Sequence, residues 1–100
     1  MAIGLIMEFD APEGDVMALY DQANIDMRTH EDHPEGLIFH WGAKSPKGLR
    51  VVDVWESKAH FDRFFRERLG PTSVKLNLPR PTVEEYEIHA ILKAPSLANT

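Results

Sequence analysis

Apolar positions along the chain change spacing several times, and each change marks an element. The run AIGLIMEF (2–9) is apolar on both parities and bounded by the turn residues DAPEG, which suits a strand buried on both faces. In DVMALYDQANIDM, residues Val16, Leu19, Tyr20, Ala23 and Met27 recur at the spacing of one helix face, with Asp15 placed as an N-cap. The polar stretch RTHEDHPEG follows. LIFHWGAK and GLRVVDVWE, both rich in β-branched and aromatic residues, then flank the turn SPKG and predict a β-hairpin. Ser57 stands as the N-cap of KAHFDRFFRERL, whose Phe61, Phe64, Phe65 and Leu69 share one side, and Gly70 with Pro71 is expected to close that helix. A short helical turn is expected through Val74 and Leu78, then a last strand, TVEEYEIHAIL.

The order β-α-β-β-α-β is that of a ferredoxin-like α+β domain, a four-stranded antiparallel sheet with two helices on one face. Residues 1–94 are expected to form this single domain, and 95–100 a flexible tail. Such a sheet leaves its second face bare, yet the strands are apolar on both parities. An uncovered apolar face is an aggregation liability, and a second copy of the chain is the economical cover. A homodimer closed through that face is therefore expected.

Bulk composition narrows the function classes. The chain of 100 residues has room for one core. Its net charge of −5 and its lack of a clustered basic surface argue against nucleic-acid binding. With no cysteine, disulfides, thiolate ligands and thiol nucleophiles are excluded. The apolar N-terminal run is too short for a membrane span and lacks the basic flank of a signal peptide, so a cytoplasmic protein without a membrane partner is the expectation.

The segment VVDVWESKAHFDRFFRERLGP, a strand ending in Trp-Glu-Ser before a Phe-rich helix, resembles the central part of the dimeric α+β barrel proteins. The nearest group is the antibiotic biosynthesis monooxygenase-like proteins and related uncharacterised bacterial proteins, and the late YEIHAIL strand is similar too. The resemblance covers nearly the whole chain. It implies a homodimer acting on an aromatic or polyketide-like molecule without a bound cofactor, as a monooxygenase or a cyclase. A non-catalytic protein that binds small hydrophobic ligands is the alternative. Related small monooxygenases often carry a histidine near the middle of the second helix, where this chain has Phe64 and Phe65.

His30 and His33, three residues apart, would share a metal ion if their segment were helical. Pro34 restricts His33 to extended backbone, which argues instead for a solvated loop, and no metal is expected. Glu8, His40, Asp53 and His89 interrupt apolar strands, where polar groups need partners or a purpose. These four are the candidate catalytic residues: His40 or His89 as base, Asp53 or Glu8 as orienting carboxylate.

On the last strand Tyr86, Ile88, Ala90 and Leu92 share one parity, and Glu85, Glu87, His89 and Ile91 the other; Glu8 shares its parity with Gly4 and Ile6. The uniformly apolar parities are expected beneath the helices, and the mixed ones, with His40, His89 and Glu8, toward the barrel interior. Ile6, Ile91, Trp41 and Trp55 are the candidate walls for an aromatic ligand there. Tyr20 and Tyr86 read as packing residues whose hydroxyls find a partner. A turn centred on Pro46 would set Phe39 against Asp53, whereas a register longer by one residue would set His40 there and create a His-Asp dyad. His40 and Trp41, as strand neighbours, must point to opposite faces.

Overall fold

A computed structural model of the chain describes residues 1–11 and 15–95. Strands β1 (Ile3–Asp10), β2 (Leu37–Ser45), β3 (Gly48–Trp55) and β4 (Thr82–Glu87) form one antiparallel sheet in the order β2-β3-β1-β4. Helix α1 (Val16–Met27) links β1 to β2. Helices α2 (Lys58–Phe64) and α3 (Gly70–Lys75), joined by a π-helical turn over Phe65–Leu69, link β3 to β4. The element order and the ferredoxin-like sheet match the expectation. The expected turn at residues 12–14 and the tail from residue 96 onward lie outside the described residues.

Local chemistry starts both main helices where the sequence places them. Asp15 Oδ1 accepts from the Ala18 amide at 3.0 Å, and Ser57 Oγ accepts from the His60 amide at 3.2 Å, each satisfying an amide that a first helical turn leaves without a partner. The core lies between these helices and one face of the sheet. Ile3, Leu5, Met7 and Phe9 of β1 and Leu49, Val51 and Trp55 of β3 are buried there against Val16, Ala23 and Leu69. Trp55, with no exposed surface, packs on Phe61 and Phe64 at ring separations of 5.7 and 5.2 Å. Its replacement by alanine would cost about 3–5 kcal/mol, as for other buried aromatic truncations.

Two boundaries differ from the expectation. Gly70 and Pro71 do not end the second helix. Gly70 keeps right-handed helical angles (φ −59°, ψ −54°) and its amide bonds Phe65 O, five residues back. Pro71 has no amide to give to the carbonyl four residues before it, and its ring would crowd that carbonyl in a regular helix. The wide π turn relieves both problems, and Pro71 then sits in the first turn of α3. The last strand is also shorter than the expected 82–92. Glu87 already pairs with Ile3 at the start of β1, and the Ile88 amide bonds Ala2 O at 2.9 Å, after which no partner strand remains.

The second face of the sheet carries Ile6, Val52, Val54, Phe39, Trp41 and Tyr86 by register. Phe39, Trp41 and Tyr86 are 40–48% exposed. Glu8 lies among them, accepting from Ser45 Oγ at 2.6 Å and from Arg50 Nε at 3.0 Å, so it ties β1 to the end of the hairpin. On the helix side Asp26 of α1 accepts from Thr72 Oγ1 and Lys75 Nζ of α3.

The Ser45 hydroxyl and Arg50 hold the Glu8 carboxyl below its ordinary value of 4.5, and Lys75 with Thr72 holds Asp26 below 3.8. A depressed carboxyl stabilises the fold above its unfolded pKa and loses that contribution as pH falls through the folded one. Glu8→Gln and Asp26→Asn are therefore expected to be less stable than the parent protein at pH 7 and to converge on it toward pH 3. Urea midpoints measured across that range check this, and a gap that widens on acidification would contradict it.

Candidate active site

The hairpin turn decides the site. Ser45 pairs with Gly48 across the two residues Pro46 and Lys47, and counting back from that pair puts Trp41 against Val52 and His40 against Asp53. Of the two registers open to the sequence, the one that pairs His40 with Asp53 is present. Both side chains point beneath the helices, while Trp41 points to the bare face, as strand alternation requires.

Asp53 is 3% exposed. A carboxylate so placed must be hydrogen-bonded, and both of its oxygens are. Trp55 Nε1–H donates to Oδ2 at 3.1 Å, and His40 Nδ1 lies 2.5 Å from Oδ1. An ionised carboxylate can only accept, so the proton of a neutral His40 belongs on Nδ1 and Nε2 is left as an acceptor. Tyr20 of α1 fills that role: its hydroxyl lies 2.5 Å from Nε2, and its ring is within 3° of the imidazole plane. Trp55, Asp53, His40 and Tyr20 thus form one directed chain of hydrogen bonds crossing from β3 through β2 to α1.

Tyr20 reaches β2 because position 42 is a glycine. A Cβ there would stand 2.6 Å from Tyr20 Cε2 and 2.7 Å from Cζ, well inside contact distance. Burial foremost, and behind it the negative charges of Asp53 and Asp21, raises the Tyr20 phenol above its ordinary value of 10.0, against a lowering contribution from Asn24.

The chain of hydrogen bonds borders a cavity of about 330 Å³ between the sheet and the helices. Met7, Val51, Trp55, Phe64, Leu69 and Leu78 supply apolar wall; Tyr20, His40 and Asp53 are its polar end. This is the low end of the ~300–1,000 Å³ range of small-molecule pockets, with room for one or two rings. Residues 28–36 roof the cavity, and His30, His33 and Pro34 line it. Arg68 secures the roof, donating to Met27 O at 3.3 Å and to Asp32 O at 2.7 Å while pairing with the Asp32 carboxylate at 3.0 Å. Arg63 pairs with Glu35 at 2.9 Å.

The structure brings together three of the expected site residues, His40, Asp53 and Trp55, and parts the rest. The expectation that His40 would face away from the helices is corrected: it points beneath them, where the cavity lies, whereas Glu8 lies on the bare face as expected. Glu8, Ile6 and Trp41 belong to the opposite face, so Glu8 cannot orient His40, and neither Ile6 nor Trp41 lines the cavity. His89 and Ile91 lie past the end of β4, exposed and away from the cavity, because the sheet gives them no partner. His33 Nε2 bonds Leu37 O at 2.8 Å, and among the described residues no group of three or more His, Cys, Asp or Glu side chains is disposed to hold a metal ion. Tyr20, expected to pack with its hydroxyl on some partner, has His40 as that partner and so joins the site, a place the sequence does not assign it. Its signal was a phenol on the apolar stripe of α1 together with a histidine and a glycine two apart on β2.

The sequence matches no family model and no curated protein. Solved structures do resemble it. An antibiotic biosynthesis monooxygenase-type protein of Chloroflexus aurantiacus superposes with a TM-score of 0.71 at 15% identity, over 93% of this chain and 98% of that one. A Nitrosomonas europaea protein of unknown function gives 0.71 at 17% identity, over 93% and 94%. SnoaB of Streptomyces nogalater, a cofactor-independent oxygenase solved in a mutant form, gives 0.66 at 12% identity, over 93% and 98%. At such identities the likeness establishes architecture: the chain has the ferredoxin-like fold of the antibiotic biosynthesis monooxygenase-like proteins.

Proposed function

We propose that this protein is a small enzyme that abstracts a proton from an aromatic or polyketide-like carbon acid without a bound cofactor. The His40–Asp53 pair is the proton acceptor and the apolar cavity beside it is the substrate site. The carbanion then reacts with dioxygen, as in a monooxygenase, or with a carbonyl of the same molecule, as in a cyclase. The observation that carries this reading is the buried Asp53 carboxylate, which holds Nδ1 of a histidine at the edge of a cavity with an extensive apolar wall. A carboxylate behind an imidazole fixes its tautomer and stabilises the imidazolium that forms, which is what a general base requires. SnoaB, a cofactor-independent oxygenase of the same fold, is consistent with it.

A ligand-binding protein without catalysis is the second reading. It is favoured by one fact: among the described residues every buried side-chain nitrogen and oxygen already has a partner. Deuterium exchange into β-tetralone, a bicyclic carbon acid small enough for the cavity, separates the two. Followed by NMR in D2O, the wild-type protein should accelerate exchange, and His40→Ala should lower that acceleration by about 10²–10⁴-fold, the usual size of a general-base contribution. Asp53→Asn should also slow it. Binding of β-tetralone with no enzyme-dependent exchange would favour the second reading.

The same proposal includes a homodimer closed through the bare face, where a second copy would cover Trp41, Phe39 and Tyr86 and leave the ion pair of Glu8 with Arg50 to neutralise its own charge. Trp41→Glu puts a charge among the exposed aromatic side chains of that face and is expected to yield a monomer. Sedimentation of the wild type as a monomer at micromolar concentration would rule the dimer out.

A further inference from the structure

The histidine of the dyad has no nitrogen left for a substrate. Asp53 occupies Nδ1 and the Tyr20 hydroxyl occupies Nε2, both at 2.5 Å, and the Tyr20 and His40 rings are nearly parallel. A molecule in the cavity that is to lose a proton to this chain meets its outer end, and the outer end is an oxygen. We propose that Tyr20 is the catalytic residue that touches the substrate. In this role its Oη receives the substrate proton while its own proton passes to His40 Nε2. The proposal rests on the proton-abstraction reading above and changes which atom performs it.

The step balances without any further reagent. The substrate C–H bond breaks, and its electron pair stays on carbon, delocalised into the neighbouring carbonyl as an enolate. The proton forms a new O–H bond at Tyr20 Oη. The O–H bond directed at His40 breaks, and that proton bonds Nε2. The products are an enolate, a neutral tyrosine and an imidazolium whose Nδ1–H still faces Asp53. Because the two transfers are concerted, no free phenolate is formed, which suits a phenol whose ionisation the surroundings oppose. His40 stores the proton; Asp53 is a positioning residue that stabilises the stored charge, and Trp55 Nε1–H holds its far oxygen in place.

Two features of the fold deliver Tyr20 to this position. The ring lies against the strand over Gly42, with hydroxyl and imidazole in line, and α1 carries it in from the opposite side of the cavity to β3. The substrate class follows: a carbonyl-activated carbon acid of one or two rings, with its acidic C–H directed at Tyr20 and its rings against the apolar wall that includes Phe64 and Leu78.

The exchange assay on β-tetralone tests this with two variants that keep the dyad intact. Tyr20→Phe removes only the hydroxyl, and Gly42→Ala keeps the hydroxyl but displaces the ring. Both should lose at least about 100-fold in exchange rate, down to the level of His40→Ala. Tyr20→Phe exchanging within tenfold of wild type while His40→Ala is inactive overturns the proposal, shows that His40 takes the proton itself, and leaves the proton-abstraction reading standing. Wild-type exchange no faster than buffer, or exchange that survives His40→Ala, overturns both.

Discussion

A single buried carboxylate constrains the whole helix side of this protein. Left without partners beneath the helices, the charge of Asp53 would cost several kcal/mol, enough to consume much of the stability of a domain this size. Two N–H groups are therefore required, and each dictates structure around it. The indole of Trp55, two residues on along the same strand face, presents its nitrogen to Oδ2 and is held there by Phe61 and Phe64. The imidazole must come from the neighbouring strand, which only one hairpin register permits. That register depends on the short turn between Ser45 and Gly48, and Gly48 itself tolerates no side chain, since a Cβ would press within 2.6 Å of the Ala11 amide.

The sheet divides labour between its faces. Beneath the helices, one hydrogen-bonded chain of polar groups stands beside largely apolar side chains, so the cavity next to it has an apolar wall within reach of that chain. On the bare face Glu8 and Arg50 are neighbours across β1 and β3, and their charges cancel locally. The same strand alternation that keeps His40 and Trp41 apart thus assigns each to a different task, one to the cavity and one to a surface.

Much of the architecture was legible in the sequence because it is written locally. Asp15 and Ser57 cap their helices through contacts three residues away, and the hairpin announces itself by composition and a turn. What escaped were features set by distant partners. Alternation along a strand says which residues share a face but not which face meets the helices, and the polar parity of β2 and β3 proved to be the covered one. His89 and Ile91 continue the pattern of β4, yet pattern alone does not reveal that β1 starts at Ile3 and leaves them nothing to pair with. The dyad hung on one residue of register. Tyr20 looked like any aromatic on an apolar helical stripe, and only the notch at Gly42, invisible until α1 is laid across β2, turns its hydroxyl toward His40.

The π turn before Pro71 has a consequence beyond accommodating a proline. Such a turn is equivalent to one surplus residue in a regular helix, and each residue advances an α-helix by about 100°. The surplus therefore sets the angular phase of α3 relative to α2. In its present phase α3 aims Thr72 and Lys75 at Asp26 on α1, and so braces the far side of the helical layer that carries Tyr20. Deleting one residue between Phe65 and Leu69 would force Pro71 into a regular helical turn, where its ring crowds the carbonyl four residues back, and would at the same time swing both partners away from Asp26. The irregularity is a phasing element rather than a defect.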